Sequence, residues 1–145
     1  MTALALKKST DVARKLMTKN PVSINEHATL QEAAALLTDR QISAAPVIND
    51  AGRPVGVLSR TDLIRFMRSN SSRLQEATVR LAMTPEVLAV DLDASITDVC
   101  AKMRKAKIHR LFVVDGNGTL VGIISTLDVL RWLSHKAGVR KLGRL

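Results

Sequence analysis

The chain of 145 residues is 46% apolar, enough to bury the core of one compact domain or of two small ones that share a core, and this excludes an intrinsically disordered chain. It has no apolar run of about eighteen residues, and the stretch Met1 to Ser9 has neither a long apolar segment nor a cleavage signal, so a cytoplasmic protein is expected. Basic residues outnumber acidic ones by 22 to 13, a net charge of +9, which favours anionic partners of any class.

The charge is uneven. Lys102, Arg104, Lys105, Lys107 and Arg110 fall close together with no acid among them, and the tail adds Lys136, Arg140, Lys141 and Arg144. Nucleic acid is one class of anion to weigh, although Phe66, Phe112 and Trp132 are the only aromatics available to stack on bases. Cys100 has no second cysteine to pair with, and its place among Ile96, Val99 and Met103 marks it as a small core residue.

An internal repeat organises the rest. A shift of 66 residues lays Met17-Thr18 on Met83-Thr84, Ile42 on Ile108, Val47 on Val113, Gly52 on Gly118, and Val55-Gly56 on Val121-Gly122, without a gap. The same shift lays Ser59 on Ser125, Asp62 on Asp128 and Arg65 on Arg131, and even Phe66 falls on Trp132.

In chain order, each copy opens with a short alternating strand, Pro21-Val22-Ser23-Ile24 or Val87-Leu88-Ala89-Val90. A helix follows, begun by Thr29 with Glu32 three residues on, or by Ser95 with Asp98. A hairpin comes next, turning at Asn49-Asp50-Ala51-Gly52 or at Asp115-Gly116-Asn117-Gly118. A last helix runs over about Thr61 to Met67, and over Leu127 to Leu133. Leu63, Phe66 and Met67, repeated as Val129, Trp132 and Leu133, form candidate apolar patches for self-association. The polar stretch Arg68 to Glu76 links the copies. Residues 1–11 are thus an N-terminal segment, 12–68 the first repeat, 69–77 a linker, 78–134 the second repeat and 135–145 a basic tail. A unit of this size buries too little surface alone, so the two are expected to pack together.

The duplicated order of strand, helix, hairpin and helix resembles the CBS (cystathionine beta-synthase) domain family. So do Met-Thr ahead of each first strand and Gly-x-x-Ser-x-x-Asp at each last helix. Gly56-Val57-Leu58-Ser59-Arg60-Thr61-Asp62 and Gly122-Ile123-Ile124-Ser125-Thr126-Leu127-Asp128 carry the second motif. The resemblance implies an α+β fold of two β-α-β-β-α repeats related by a pseudo-twofold axis. It also implies a non-catalytic regulatory module that binds an adenosine-type nucleotide in the cleft between the repeats. AMP, ADP, ATP and S-adenosylmethionine are the ligands in view, no cofactor is required, and a homodimer and an effector protein are the expected protein partners.

On that resemblance the ligand-binding residues are Thr18, Asn20, Pro21 and Val22 after the first Met-Thr, Thr84 in the second, Ser59 and Asp62, and Ser125 and Asp128. His109 and Arg110 are expected to meet phosphate, since their counterparts Ser43 and Ala44 carry no charge. The residues themselves leave two readings open, because Ser-x-x-Asp before an apolar helix is also an ordinary capping box. Repeat two departs from the family pattern in carrying Phe112 where repeat one keeps Pro46. His27, His109 and His135 have no metal-ligand spacing, and no nucleophile elbow or phosphate-cradling glycine loop is present. Two alternatives from other classes remain: a nucleic-acid-binding protein using the basic helix and tail, and a structural dimerisation module with degenerate pockets.

Overall fold

The computed structural model describes residues 9–69 and 73–137. The link residues Asn70, Ser71 and Ser72, the first eight residues, and the tail bases Arg140, Lys141 and Arg144 lie outside that description. The first half of the chain forms α1 (Ala13–Leu16), β1 (Thr18–Lys19), β2 (Ile24–Asn25), α2 (Leu30–Asp39), β3 (Ala44–Ile48), β4 (Pro54–Ser59) and α3 (Arg60–Ser69). The second half forms α4 (Val79–Ala82), β5 (Ala89–Asp91), α5 (Ile96–Ala106), β6 (Arg110–Val114), β7 (Leu120–Ser125) and α6 (Thr126–Lys136).

Local chemistry accounts for most of these boundaries. Thr29 accepts the Glu32 N–H at 3.1 Å while the Glu32 carboxylate accepts the Thr29 N–H, a complete capping box at the start of α2. Ser95 accepts the Asp98 N–H at 3.1 Å at the start of α5. The hairpin turns place Gly52 and Gly118 at φ +77° and +79°, a region closed to most side chains. The first strand of repeat one is shorter than the alternating pattern predicts and is confined to Ile24–Asn25. Asn20 turns the chain with φ +49° just before Pro21, which has no N–H to give a ladder.

Two compact units result, and neither is a contiguous repeat. One gathers the described residues through Lys19, with Leu88–Gly116 and the chain from Val121 onward; the other gathers Asn20–Val87 with Asn117–Leu120. The first unit holds the sheet β1-β7-β6-β5, with β1 antiparallel to β7 and β5 parallel to β6. Its core is Leu16, Ile96, Val99, Met103, Leu111, Val113, Ile124 and Trp132, and Cys100 lies half-buried against it. Desolvation there pushes the Cys100 thiol pKa above its usual value. The second unit holds β2-β3-β4, with β2 parallel to β3 and β3 antiparallel to β4, around Ile24, Leu30, Leu37, Val47, Leu58, Leu63 and Val79.

Each unit takes its short helix from the opening residues of the other repeat. Val79 and Arg80 donate their N–H groups to the carbonyls of Ala28 and Glu26 at 2.8 and 3.1 Å. In the other unit Ala13 and Arg14 donate to Ala94 and Leu92 at 2.9 and 3.0 Å, the same pairing displaced by one repeat. The arginine side chains follow suit, Arg80 to Glu26 at 3.4 Å and Arg14 to Asp93 at 3.1 Å.

The expected apolar patches on the last helices are corrected by their burial. Leu63 and Val129 belong to the cores, Phe66 and Leu133 pack against them, and Trp132 is only 7% exposed. Helical spacing places these five side chains inward; Met67 is exposed as expected, and the other exposed apolar residues of α3 and α6 are Ile64, Leu127 and Leu130. No helix among the described residues is long and apolar enough to cross a membrane.

Trp132 also carries a polar tie. Its indole N–H donates to Asp11 Oδ2 at 2.8 Å, and the same carboxylate meets Lys136 at 3.1 Å and Lys15 at 3.3 Å. The indole bond, followed by the Lys136 bond, draws the Asp11 pKa down to about 2. A depressed carboxylate pKa contributes stability that is present above the unfolded value and lost as pH falls through the folded one. The stability difference between the native protein and Asp11→Asn is therefore expected to be constant from pH 7 to 5 and to shrink between about pH 4 and 2, measured by urea unfolding across that range.

Candidate functional site

The two Ser-x-x-Asp motifs sit where a strand passes into a helix, Ser59 and Ser125 ending β4 and β7 and Asp62 and Asp128 standing in the first turn of α3 and α6. Both are capping boxes. Asp62 Oδ2 accepts the Ser59 N–H at 2.9 Å and Ser59 Oγ accepts the Asp62 N–H at 3.0 Å. In the second repeat the distances are 2.8 and 3.2 Å, and the Ser125 hydroxyl donates to Asp128 Oδ2 at 3.0 Å. The capping role open from the sequence is therefore realised twice. It leaves Oδ1 of each aspartate for other partners, because the box uses only Oδ2.

What Oδ1 meets is not part of a cap. Arg65 Nη1 approaches Asp62 Oδ1 at 3.2 Å, and Arg131 Nη1 approaches Asp128 Oδ1 at 3.4 Å. The Thr84 hydroxyl donates to Asp62 Oδ1 at 3.2 Å, from 22 residues further along the chain. The carboxylates are largely shielded from water, with side-chain exposures of 6% and 12%. A carboxylate oriented in this way by an N–H and a guanidinium presents an acceptor to hydroxyl donors.

Thr84 reaches Asp62 because the Met-Thr segment pairs with β4. Thr84 and Val57 exchange backbone hydrogen bonds at 2.9 Å in both directions, and β1 sets Thr18 opposite Ile123 in the matching place on β7. The close approach requires glycine. A Cβ on Gly56 would lie 2.5 Å from the Thr84 carbonyl oxygen, and one on Gly122 would overlap Met17 Sδ. The repeated Val-Gly of the sequence thus marks where each Met-Thr segment crosses a strand.

The structure brings together Ser59, Asp62 and Thr84 in one unit, and Thr18, Ser125, Asp128, His109 and Arg110 fall in the other. Asn20, Pro21 and Val22 belong to the unit of repeat one, next in chain to Thr18. His109 and Arg110 are exposed at the start of β6, and the His109 carbonyl accepts the Thr126 N–H at 2.9 Å, fixing the pair beside the first turn of α6. Sequence reasoning missed Arg65 and Arg131, although both recur under the repeat shift at three residues from the aspartates. It also missed Asp11, which has no such signal because Ala77 stands at its equivalent place. Among the described residues no cluster of three histidine, cysteine or acidic side chains is placed to hold a metal.

This arrangement is that of a CBS pair, and the comparisons agree. The CBS domain pattern matches residues 12–69 and 78–135, so the chain belongs to the CBS domain family as a tandem α+β pair. Over 125 residues it is 33% identical to bovine 5'-AMP-activated protein kinase subunit gamma-3, a match covering 81% of this chain and 25% of that protein. Among solved structures it resembles CBSX2 in complex with AMP, at 28% identity and TM-score 0.71, over 86% of this chain and 96% of that one. It also resembles the CBS domain pair of protein MJ0100 in complex with 5'-methylthioadenosine and S-adenosyl-L-methionine, at 25% identity and TM-score 0.70, over 88% and 99% of the two chains. The chain spans between 24% and 36% of the length of the first curated relatives it matches.

Gly56→Ala is expected to lower stability by about 1–3 kcal/mol, because the added methyl meets a backbone carbonyl that cannot rotate away. Gly122→Ala should cost less, since the atom most crowded is the thioether of a flexible side chain. Paired urea titrations check the order, and equal costs would show that the Thr84 segment moves freely.

Proposed function

We propose that this chain is a non-catalytic regulatory module that binds an adenosine-type ligand, AMP, ADP, ATP or an S-adenosylmethionine-like compound. The ribose hydroxyls bond to Asp62 or Asp128. One observation carries the reading: the Thr84 hydroxyl on Asp62 Oδ1. Capping needs no such partner, and this alcohol donor reaches the shielded carboxylate from a distant segment. A ribose hydroxyl is a donor of the same kind, and a charge-assisted bond to it contributes about 1.5–3 kcal/mol. The AMP complex of CBSX2 and the 5'-methylthioadenosine and S-adenosyl-L-methionine complex of MJ0100 support the class of ligand.

In this reading Thr18, Asn20, Pro21 and Val22 line the base, Ser59 stands beside a ribose held by Asp62 and Ser125 beside one held by Asp128, and His109 with Arg110 meets phosphate near the first turn of α6. The ligand acts by binding two conformations of the pair with different affinity, a difference that an effector protein reads in the cytoplasm. A second copy of the chain is the other expected partner. Ile64 and Leu130, equivalent under the repeat shift, are 60% and 57% exposed and give each last helix an apolar surface.

A thermal-shift screen against AMP, ADP, ATP, NAD and S-adenosylmethionine tests the class. A ligand at a hundred times its Kd stabilises by about 2.7 kcal/mol, a rise on the order of 5–10 °C, and a flat response to all five at millimolar concentration would overturn the proposal. Asp128→Ala or Asp62→Ala should weaken binding roughly ten- to hundredfold. Lower melting with unchanged affinity would reduce both aspartates to caps.

Light scattering tests the self-association. Twice the chain mass of 15.8 kDa is expected, halved by Leu130→Glu, and a monomer at tens of micromolar with and without nucleotide would exclude it.

A further inference from the structure

The duplication supplies an internal control for the basic cluster of repeat two. α2 and α5 end alike: Gln41 and Lys107 both take left-handed φ, +55° and +54°, and the Ile42 and Ile108 N–H groups bond back to Leu37 and Met103 at 3.0 and 3.1 Å. The backbone is the same and the side chains are not. Repeat one closes this turn with Thr38, Asp39, Arg40 and Gln41, where Arg40 is offset by Asp39, whereas repeat two closes it with Arg104, Lys105, Ala106 and Lys107, three bases and no acid.

Cations do favour a helix C-terminus, where the last carbonyls leave a partial negative charge. The fold does not depend on that gain, because the equivalent helix forms with an aspartate in its place. Arg104, Lys105 and Lys107 are all exposed, and none of them enters an ion pair among the described residues. Lys102, one turn earlier, is committed to the Ala89 carbonyl.

The surroundings narrow the partner. No large apolar side chain is exposed from the start of α5 to the end of β6, so a lipid surface would gain only charge and no inserted anchor. Protein interfaces draw most of their energy from buried aromatic and arginine anchors in pockets, and this end of the helix has no aromatic. Phe112 and Trp132 are buried and Phe66 packs on the core of the other repeat, so no phenyl or indole ring is free to stack on an unpaired base. What remains is a partner that rewards charge alone at closely spaced points, which describes the phosphate backbone of a nucleic-acid duplex.

We propose that the C-terminal turn of α5, through Arg104, Lys105 and Lys107, binds the phosphate backbone of duplex nucleic acid without reading sequence. Arg104, Lys105 and Lys107 are not among the residues proposed to hold the adenosine ligand, and the proposal does not rest on that reading. It makes the pair lopsided, with three bases at this turn in one repeat and Arg40 beside Asp39 in the other.

Fluorescence anisotropy of the full-length chain with a labelled DNA duplex of mixed sequence, between about 50 and 200 mM NaCl, tests the proposal. The triple change Arg104→Gln, Lys105→Gln and Lys107→Gln should weaken binding roughly tenfold or more at the low-salt end. It should also flatten the slope of log affinity against log salt by about 2.7, or about 0.9 for each phosphate no longer neutralised. Glutamine is already accommodated at the left-handed position in repeat one, and if the triple change lowers the melting temperature, Arg104→Gln and Lys105→Gln separately should each remove about 0.9 of slope. The comparator Arg40→Gln, Arg68→Gln and Arg73→Gln removes the same charge from exposed positions of the other unit and should leave most of the affinity. Equal loss in both triples, no duplex binding at low salt, or equally tight binding to phosphatidylserine vesicles or to polyglutamate would overturn it.

Discussion

The fold depends on a backbone exchange in which the four-residue helix that opens each repeat is docked on the core of the unit built around the other repeat. Helices this short have no stability of their own. Val79 and Arg80 hold one to the carbonyls of Ala28 and Glu26, Ala13 and Arg14 hold the other to Ala94 and Leu92, and Val79 and Ala13 are wholly buried beneath. Each such bond contributes about 0.5–1.5 kcal/mol net, and leaving one unmade inside a core would cost more. Docking then fixes the next residues. Met83 and Thr84 cross β4 at Gly56, Met17 and Thr18 cross β7 at Gly122, and the Thr84 hydroxyl arrives at the aspartate of the other repeat.

The two aspartates show how one side chain serves structure and chemistry through different oxygens. Oδ2 closes the helix start and Oδ1 turns to an arginine in both copies, and to Thr84 in one. An acceptor so constrained has little conformational entropy left to lose when a ligand arrives, which is the ordinary advantage of preorganisation. The cap fixes the carboxylate whether or not a ligand is present.

Much of the fold was legible because it is written twice. Glu32 behind Thr29, Asp98 behind Ser95 and the glycine-bearing turns each point to one local structure, and their recurrence in register identified the family. Strand length was less legible, since alternation at Pro21–Ile24 says nothing of which backbone groups find partners. The apolar side chains of α3 and α6 were misread as surface, because spacing identifies a stripe without saying which neighbour covers it; Trp132 proves to be core, and Leu130, on the same helix, is outside. The segment exchange left no mark in the pattern, as contacts between distant stretches of chain carry no periodicity. Within the candidate site the serines and aspartates could be named from sequence, but Thr84 on Asp62 rather than on its own repeat's Asp128 could not.

The exchange also sets an order of events during synthesis. Chains emerge from the ribosome at about 5–20 residues per second, and domains generally fold as they become complete. The unit around repeat one is nearly whole once Val87 has emerged, for it draws little from beyond that point. Ala13 to Lys19 were made first and are partnered last, since their sheet and their core belong to residues from Leu88 onward. The stretch Ala13 to Lys19 therefore waits, with Leu16 and Met17 uncovered, through the time in which the whole second repeat is translated.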